Sequence, residues 1–155
     1  MSRWQRGEAT VERLLTDGSL QQLEGVEARG EPWLRTARDT LAAAAAAAAA
    51  VADAHPASAC TLAYDGARFG CVALLTHQGL RATTRGGHLA VEETVRAQFG
   101  DTFKSFRDLR IRRNELEYPH YPDEQVDAEE AEKALAAARG IVDAADKLLP
   151  HVGMF

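Results

Sequence analysis

Cysteine is nearly absent from this 155-residue chain, which holds only Cys60 and Cys71. On one helix their spacing sets them about 16 Å apart, beyond the reach of a disulfide within the chain. They are expected as buried free thiols in a reducing compartment. Long apolar runs are also missing. The stretch from Leu41 to Ala52 is nearly all alanine and too short to cross a bilayer. The opening MSRWQRGEATVERLL lacks the apolar core of a signal peptide, so a soluble, cytoplasmic protein with no membrane partner is the expectation. A positive balance is lacking too. With a formal net charge of −5, the chain is not one that coats nucleic acid non-specifically, and any phosphate contact must come from a local basic cluster.

Several chemical signatures are equally missing. His55, His77, His88, His120 and His151 are scattered, with no HExxH and no Cys–His cluster, so no metal site is expected. There is no Walker A motif, dinucleotide fingerprint or nucleophile elbow, and no cofactor is expected. No internal repeat is visible either.

What is present is helical periodicity, with no stretch that alternates convincingly as a strand. A chain of this length forms one domain that buries roughly two-thirds of its unfolded surface. Residues 8–24 read as two short amphipathic pieces broken at Asp17-Gly18, with Leu14, Leu15, Leu20 and Leu23 as their apolar positions. Glu31-Pro32 opens the next helix, with proline suited to a first turn. It runs through Trp33, Leu34 and Ala37 into the alanine tract from Ala42 to Ala50, and His55-Pro56 ends it. Alanine combines the best helix propensity with a side chain short enough for close packing.

A third helix is expected from Ala57 to Gln78, stopped by Gly79. Its apolar residues spread around most of the circumference, which belongs at the centre of a bundle. Gly66 and Gly70 allow close helix contact there. The loop RATTRGGH, Arg81 to His88, leads to a short helix from Leu89 to Phe99. The next helix runs from Thr102 to Glu117, with Asp101 or Thr102 as its cap. The last spans Asp127 to Leu149. Six acids among residues 123–132 sit at its N-terminal end, where the helix dipole favours them. The expected fold is all-α, a compact bundle of about five helices over residues 31–155, preceded by a short N-terminal helical extension over residues 1–30.

One residue resists this pattern. At 100° per residue, Phe106, Leu109 and Leu116 fall within an arc of about 80°, and Arg113 projects from inside it. Arg110 and Glu117 lie at its edge; Lys104, Arg107 and Arg112 lie outside. An arginine on an apolar face is costly unless it is paired or faces a polar cavity or interface. Two explanations stand side by side. Arg113 pairs with Glu117 one turn on, or with Asp65 across the bundle, and His120 is plain surface. Alternatively, Arg113 and His120 in RRNELEYPHYP form a catalytic pair.

Two segments resemble the HEPN domain (higher eukaryotes and prokaryotes nucleotide-binding), a compact all-α fold whose members usually dimerise. YDGARFGCVALLTHQGLRATTRGGH, Tyr64 to His88, is similar to its central helix and following loop. FRDLRIRRNELEYP, Phe106 to Pro119, is similar to its penultimate helix. With the C-terminal helix they cover about residues 57–150, and the RN…EYP ending resembles a small actinobacterial-type branch. Nuclease members carry arginine, four to six residues, then histidine, often with a polar residue after the arginine. Arg113, Asn114 and His120 fit the longest form; in the shorter form the histidine position falls on Tyr118.

The resemblance implies a metal-independent endoribonuclease that leaves a 2′,3′-cyclic phosphate, built as a homodimer whose paired helix ends share a cleft. His120 then exchanges the proton of the ribose 2′-OH or the leaving 5′-oxygen. Arg113 holds the scissile phosphate, and Asn114 orients either group. Lys104, Arg107, Arg110 and Arg112 track the RNA backbone, or form a solvated helix face. Arg81, Arg85 and His88 make a second basic patch, unless His88 caps the following helix. Tyr118 and Tyr121 are packing residues or targets of nucleotidylation, which makes a nucleotidyltransferase antitoxin the expected partner of a toxin. The other reading is a non-catalytic HEPN dimer that binds a nucleotide, RNA or a partner protein.

Overall fold

The computed structural model describes residues 3–25, 28–49, 55–121 and 124–155. The far end of the alanine tract at Ala50, and Pro122 and Asp123 in the loop before the last helix, lie outside the described residues. In chain order the elements are α1 (Glu8–Thr16), β1 (Leu20–Gln22), α2 (Glu31–Ala49), α3 (Pro56–His77), β2 (Leu80–Ala82), α4 (Gly87–Phe99), α5 (Ser105–Glu117) and α6 (Ala128–Leu148). Short 3-10 turns at Gly100–Phe103 and Leu149–His151 lead into α5 and follow α6.

The bundle is organised around α3, which packs chiefly against α2 and α6 and also meets α4 and α5. Its sequence explains this position. Ala59, Ala63, Ala67, Ala73 and Cys71 are fully buried small or compact residues, while Leu74 and Leu75 supply bulk on the same helix. The two glycines face different neighbours. A Cβ on Gly66 would stand 2.6 Å from Leu41 of α2, and one on Gly70 would stand 3.2 Å from Val142 of α6. Both crossings are therefore set by a missing methyl group.

The alanine tract follows the same logic. Leu34, Ala37, Leu41 and Ala44 form the buried stripe of α2, and the alanines off that stripe are exposed or half-buried. Both cysteines are buried and free. Burial pushes the Cys60 thiol up to about 11, with the Glu130 carboxylate adding to the effect, and burial raises Cys71 as well. A thiol held protonated is a poor nucleophile.

The sheet differs from the expectation of an all-helical extension. Leu20–Gln22, expected as part of a second helical piece, pairs antiparallel with Leu80–Ala82, Leu20 opposite Ala82 and Gln22 opposite Leu80. Three residues are too few to show period-two alternation, and each strand is defined by its partner rather than by its own pattern. Thr83 closes the end of this pairing by donating its hydroxyl to the Gly18 carbonyl at 2.6 Å. The cap of α5 also differs. Asp101 and Thr102 lie in the preceding 3-10 turn, and the N-cap is Lys104, with no side-chain cap. Asp127 does cap α6, accepting from the Glu130 backbone N–H at 2.8 Å.

Where α3 and α4 end, Gln78 and Gln98 exchange two side-chain hydrogen bonds of 2.6 and 3.0 Å, with exposures of 1% and 0%. Their backbones hold the chain's two ends: Trp4 donates its indole N–H to the Gln98 carbonyl at 3.1 Å, and Phe155 N–H reaches the Gln78 carbonyl at 2.9 Å. Removing one amide strands the other in a dry site. Gln98→Leu should lower the unfolding free energy by about 1–3 kcal/mol. The double variant Gln78→Leu/Gln98→Leu should recover most of that loss in urea titration.

Candidate functional site

The apolar face of α5 is as the spacing predicts. Phe106 and Leu109 are buried, Leu116 is half-buried, and Arg113 emerges between them. The guanidinium of Arg113 meets the Glu117 carboxylate at 2.7 Å and lies 5.8 Å from the centroid of the Tyr64 ring on α3. Its Nε is buried with no hydrogen-bond partner. Glu117 therefore accounts for part of the expected pairing; Asp65 instead approaches Arg68, at 3.9 Å.

His120 lies just beyond the end of α5, which closes where the Tyr118 N–H bonds to the Asn114 carbonyl at 2.8 Å. Pro119 follows at once, cannot donate to a further turn, and leaves His120 exposed in irregular chain. No hydrogen bond joins His120 to Arg113 among the described residues. Asn114 is exposed beside Arg113. Tyr118 and Tyr121 are 75% and 69% exposed, so neither packs over the guanidinium as a lid.

Most of the neighbouring cations are already engaged. Arg110 donates to Glu92 at 2.6 Å, and Glu92 is almost wholly buried. Arg112 gathers Glu130, Glu124 at 2.5 Å and Glu115 at 3.0 Å, and also donates to the Gln125 carbonyl at 3.0 Å. That clip joins α5 to the start of α6 and so brackets the loop that carries His120. Lys104 and Arg107 are exposed, and no ion pair involves either among the described residues. Arg81 and Arg85 are exposed on β2 and in the turn before α4.

His88 does not cap α4, whose N-terminus has no side-chain cap. Its Nδ1 sits 2.7 Å from the Tyr64 hydroxyl. Tyr64 is fully buried and stacks on Phe106 at 5.5 Å. Burial raises the Tyr64 pKa and lowers that of His88, whose neighbours Arg68 and Arg113 push the same way. The pair is therefore a neutral tyrosine donating to a neutral imidazole, which places the remaining ring proton on Nε2. Spacing could not reveal this contact. The one clue was a tyrosine inside a helix apolar on nearly every side, since a buried phenol needs a partner.

Among the described residues no group of three His, Cys, Asp or Glu side chains comes together as a metal site, and no helix is long and apolar enough to cross a membrane. The fold is thus an all-α bundle with a basic, polar seam where α3, α4 and α5 meet. The HEPN domain model matches residues 31–148; the chain belongs to the HEPN family, a nucleotide-binding and RNase-like superfamily. No curated protein and no solved structure matches the chain.

Two tests follow from these contacts. Arg112→Met should cost about 1–3 kcal/mol of stability and speed hydrogen exchange at residues 124–127. The second concerns pH. Because the folded state holds the His88 pKa below its usual 6.5, the unfolded chain binds a proton first as pH falls. Stability is then lost as pH drops through 6.5 and levels off below the folded pKa. His88→Gln keeps an acceptor for Tyr64 but removes the titration. Its stability deficit against the wild type should narrow between about pH 7.5 and pH 5.5 in urea unfolding.

Proposed function

We propose that this HEPN protein is a metal-independent endoribonuclease-like enzyme, acting as a homodimer and serving as the toxin half of a toxin–antitoxin or phage-defence pair. The observation that carries the proposal is Arg113. It is a guanidinium on an otherwise apolar helix face, 22% exposed at its side chain, with one buried N–H unused. Glu117 meets one of its terminal nitrogens, and an anion that reached the remaining donors would complete its shell.

In the proposed reaction the ribose 2′-oxygen attacks phosphorus, its proton passes to His120, and the bond to the 5′-oxygen breaks. The leaving oxygen takes up a proton, giving a 2′,3′-cyclic phosphate and a 5′-hydroxyl. Arg113 offers planar donors to the phosphate as charge builds on it. Asn114 orients one of the two partners. One chain supplies one Arg–His pair, so the second imidazole comes from the partner protomer across a shared cleft. The exposed Lys104 and Arg107 are free to follow the RNA backbone, with Arg81 and Arg85 as a second patch. Arg110 and Arg112 would have to give up carboxylates to do so. The high exposure of Tyr118 and Tyr121 suits modification by a nucleotidyltransferase antitoxin.

The Arg113–Glu117 pair favours a second reading, a non-catalytic HEPN dimer that binds a nucleotide, RNA or a partner protein. Cleavage of a labelled, structured RNA in EDTA separates the two. Wild type should cleave, while His120→Ala and Arg113→Ala should each lose about 100-fold or more with folding and dimerisation retained. If wild-type protein leaves that RNA and a tRNA pool intact, the binding reading stands instead.

A further inference from the structure

Away from Arg113 and His120, a cavity of about 240 Å³ opens between α2, α3, β2 and α4. Its floor is apolar, built from Val72, Leu75 and Val91, and Trp33 of α2 forms one wall. Trp33 is held flat against Phe69, with ring centroids 5.7 Å apart and planes inclined by 23°. The rim carries Arg68, Arg81 and His88, and no carboxylate lines the cavity among the described residues.

Each rim group has a donor to offer. Arg68 lies over the Phe69 ring at 4.4 Å; its buried Nε faces Asp65, so the donors left for a ligand are those of its two terminal nitrogens. Asp65, its nearest carboxylate, stands 3.9 Å away, too far for a hydrogen bond. Arg81 lies opposite Gln21 in the sheet. The Gln21 amide, turned with its oxygen towards Arg81, accepts from the guanidinium Nε at 3.0 Å and from one terminal nitrogen at 2.5 Å, which leaves the other terminal nitrogen for a ligand. That partner is neutral and leaves the charge uncompensated. At His88 the Tyr64 hydroxyl occupies Nδ1, so the ring's other nitrogen carries its hydrogen as a donor.

We propose that this cavity binds a small aromatic carboxylate, its rings on the apolar floor beside Trp33 and its carboxylate held by the guanidinium and imidazole N–H groups of the rim. A planar anion suits planar guanidinium donors, and a flat ring system suits the stacked Trp33–Phe69 wall. Size narrows the class. At about 240 Å³ the cavity lies below the usual range of about 300–1,000 Å³ for drug-sized ligands. It takes one or two fused rings, not a base, a sugar and a phosphate together. The site uses neither Arg113 nor His120, but it shares Arg81 with the second basic patch proposed for RNA.

Calorimetric titration of the full chain with 2-naphthoate, 2-naphthylmethanol and AMP tests the proposal. A saturable one-to-one heat is expected for 2-naphthoate, with little for the alcohol or the nucleotide. Arg68→Gln should weaken that binding about tenfold or more. Arg81→Gln, at an exposed position, should do the same and guards against misfolding of the first variant, which far-UV circular dichroism would reveal. The proposal is overturned by absence of saturable 2-naphthoate binding at about 1 mM ligand. It is equally overturned by binding unchanged in both variants, or by the alcohol or AMP binding as tightly as the acid.

Discussion

Everything in this fold depends on how closely other helices can approach α3. A helix buried on nearly all sides must present something thin to each neighbour, and α3 does so with alanines and with Gly66 and Gly70, which face α2 and α6. Close approach multiplies dispersion contacts that are individually tiny. It also brings polar side chains into regions from which water is excluded. Tyr64 is such a residue, fully buried on α3 where that helix meets α4 and α5, with its hydroxyl bonded to His88. A buried centre and a polar seam thus share one element.

Much of the architecture was legible because long amphipathic helices advertise their period. The helices from Glu31, Pro56 and Ala128 begin within a residue or so of the expected starts at Glu31, Ala57 and Asp127. The position of Arg113 among Phe106, Leu109 and Leu116 follows from arithmetic on 3.6 residues per turn. What escaped was non-local. The pairing of Leu20–Gln22 with Leu80–Ala82 joins segments far apart in the chain, and neither strand has enough residues to signal itself. The Tyr64–His88 bond and the burial of Glu92 against Arg110 likewise depend on which helices become neighbours. Spacing along one helix shows which side chains share a face; it is silent on what that face meets.

The charged groups near the α5 terminus fall into two kinds. Arg110 and Arg112 are consumed by carboxylates and hold the scaffold together. Arg113 is only partly satisfied, and beside it the chain leaves the helix through Pro119 to expose His120. A rigid base with a loose end is how many proteins combine positioning with access. The HEPN family assignment gives that arrangement a setting, and the structure adds a neutral Tyr64–His88 pair behind it, within Coulomb reach of Arg113.

The Gln78–Gln98 pair differs from the Arg112 clip in one respect that reaches beyond geometry. Two amides bear no net charge and sit out of water, so dissolved ions neither screen nor compete with their bonds. The clip sets one guanidinium against three carboxylates near the surface, where added salt weakens attraction and relieves the crowding of negative charge at once. Ionic strength therefore divides the molecule. The buried Gln78–Gln98 pair is held by bonds indifferent to salt, while the loop bearing His120 is tethered by forces that track the electrolyte around it.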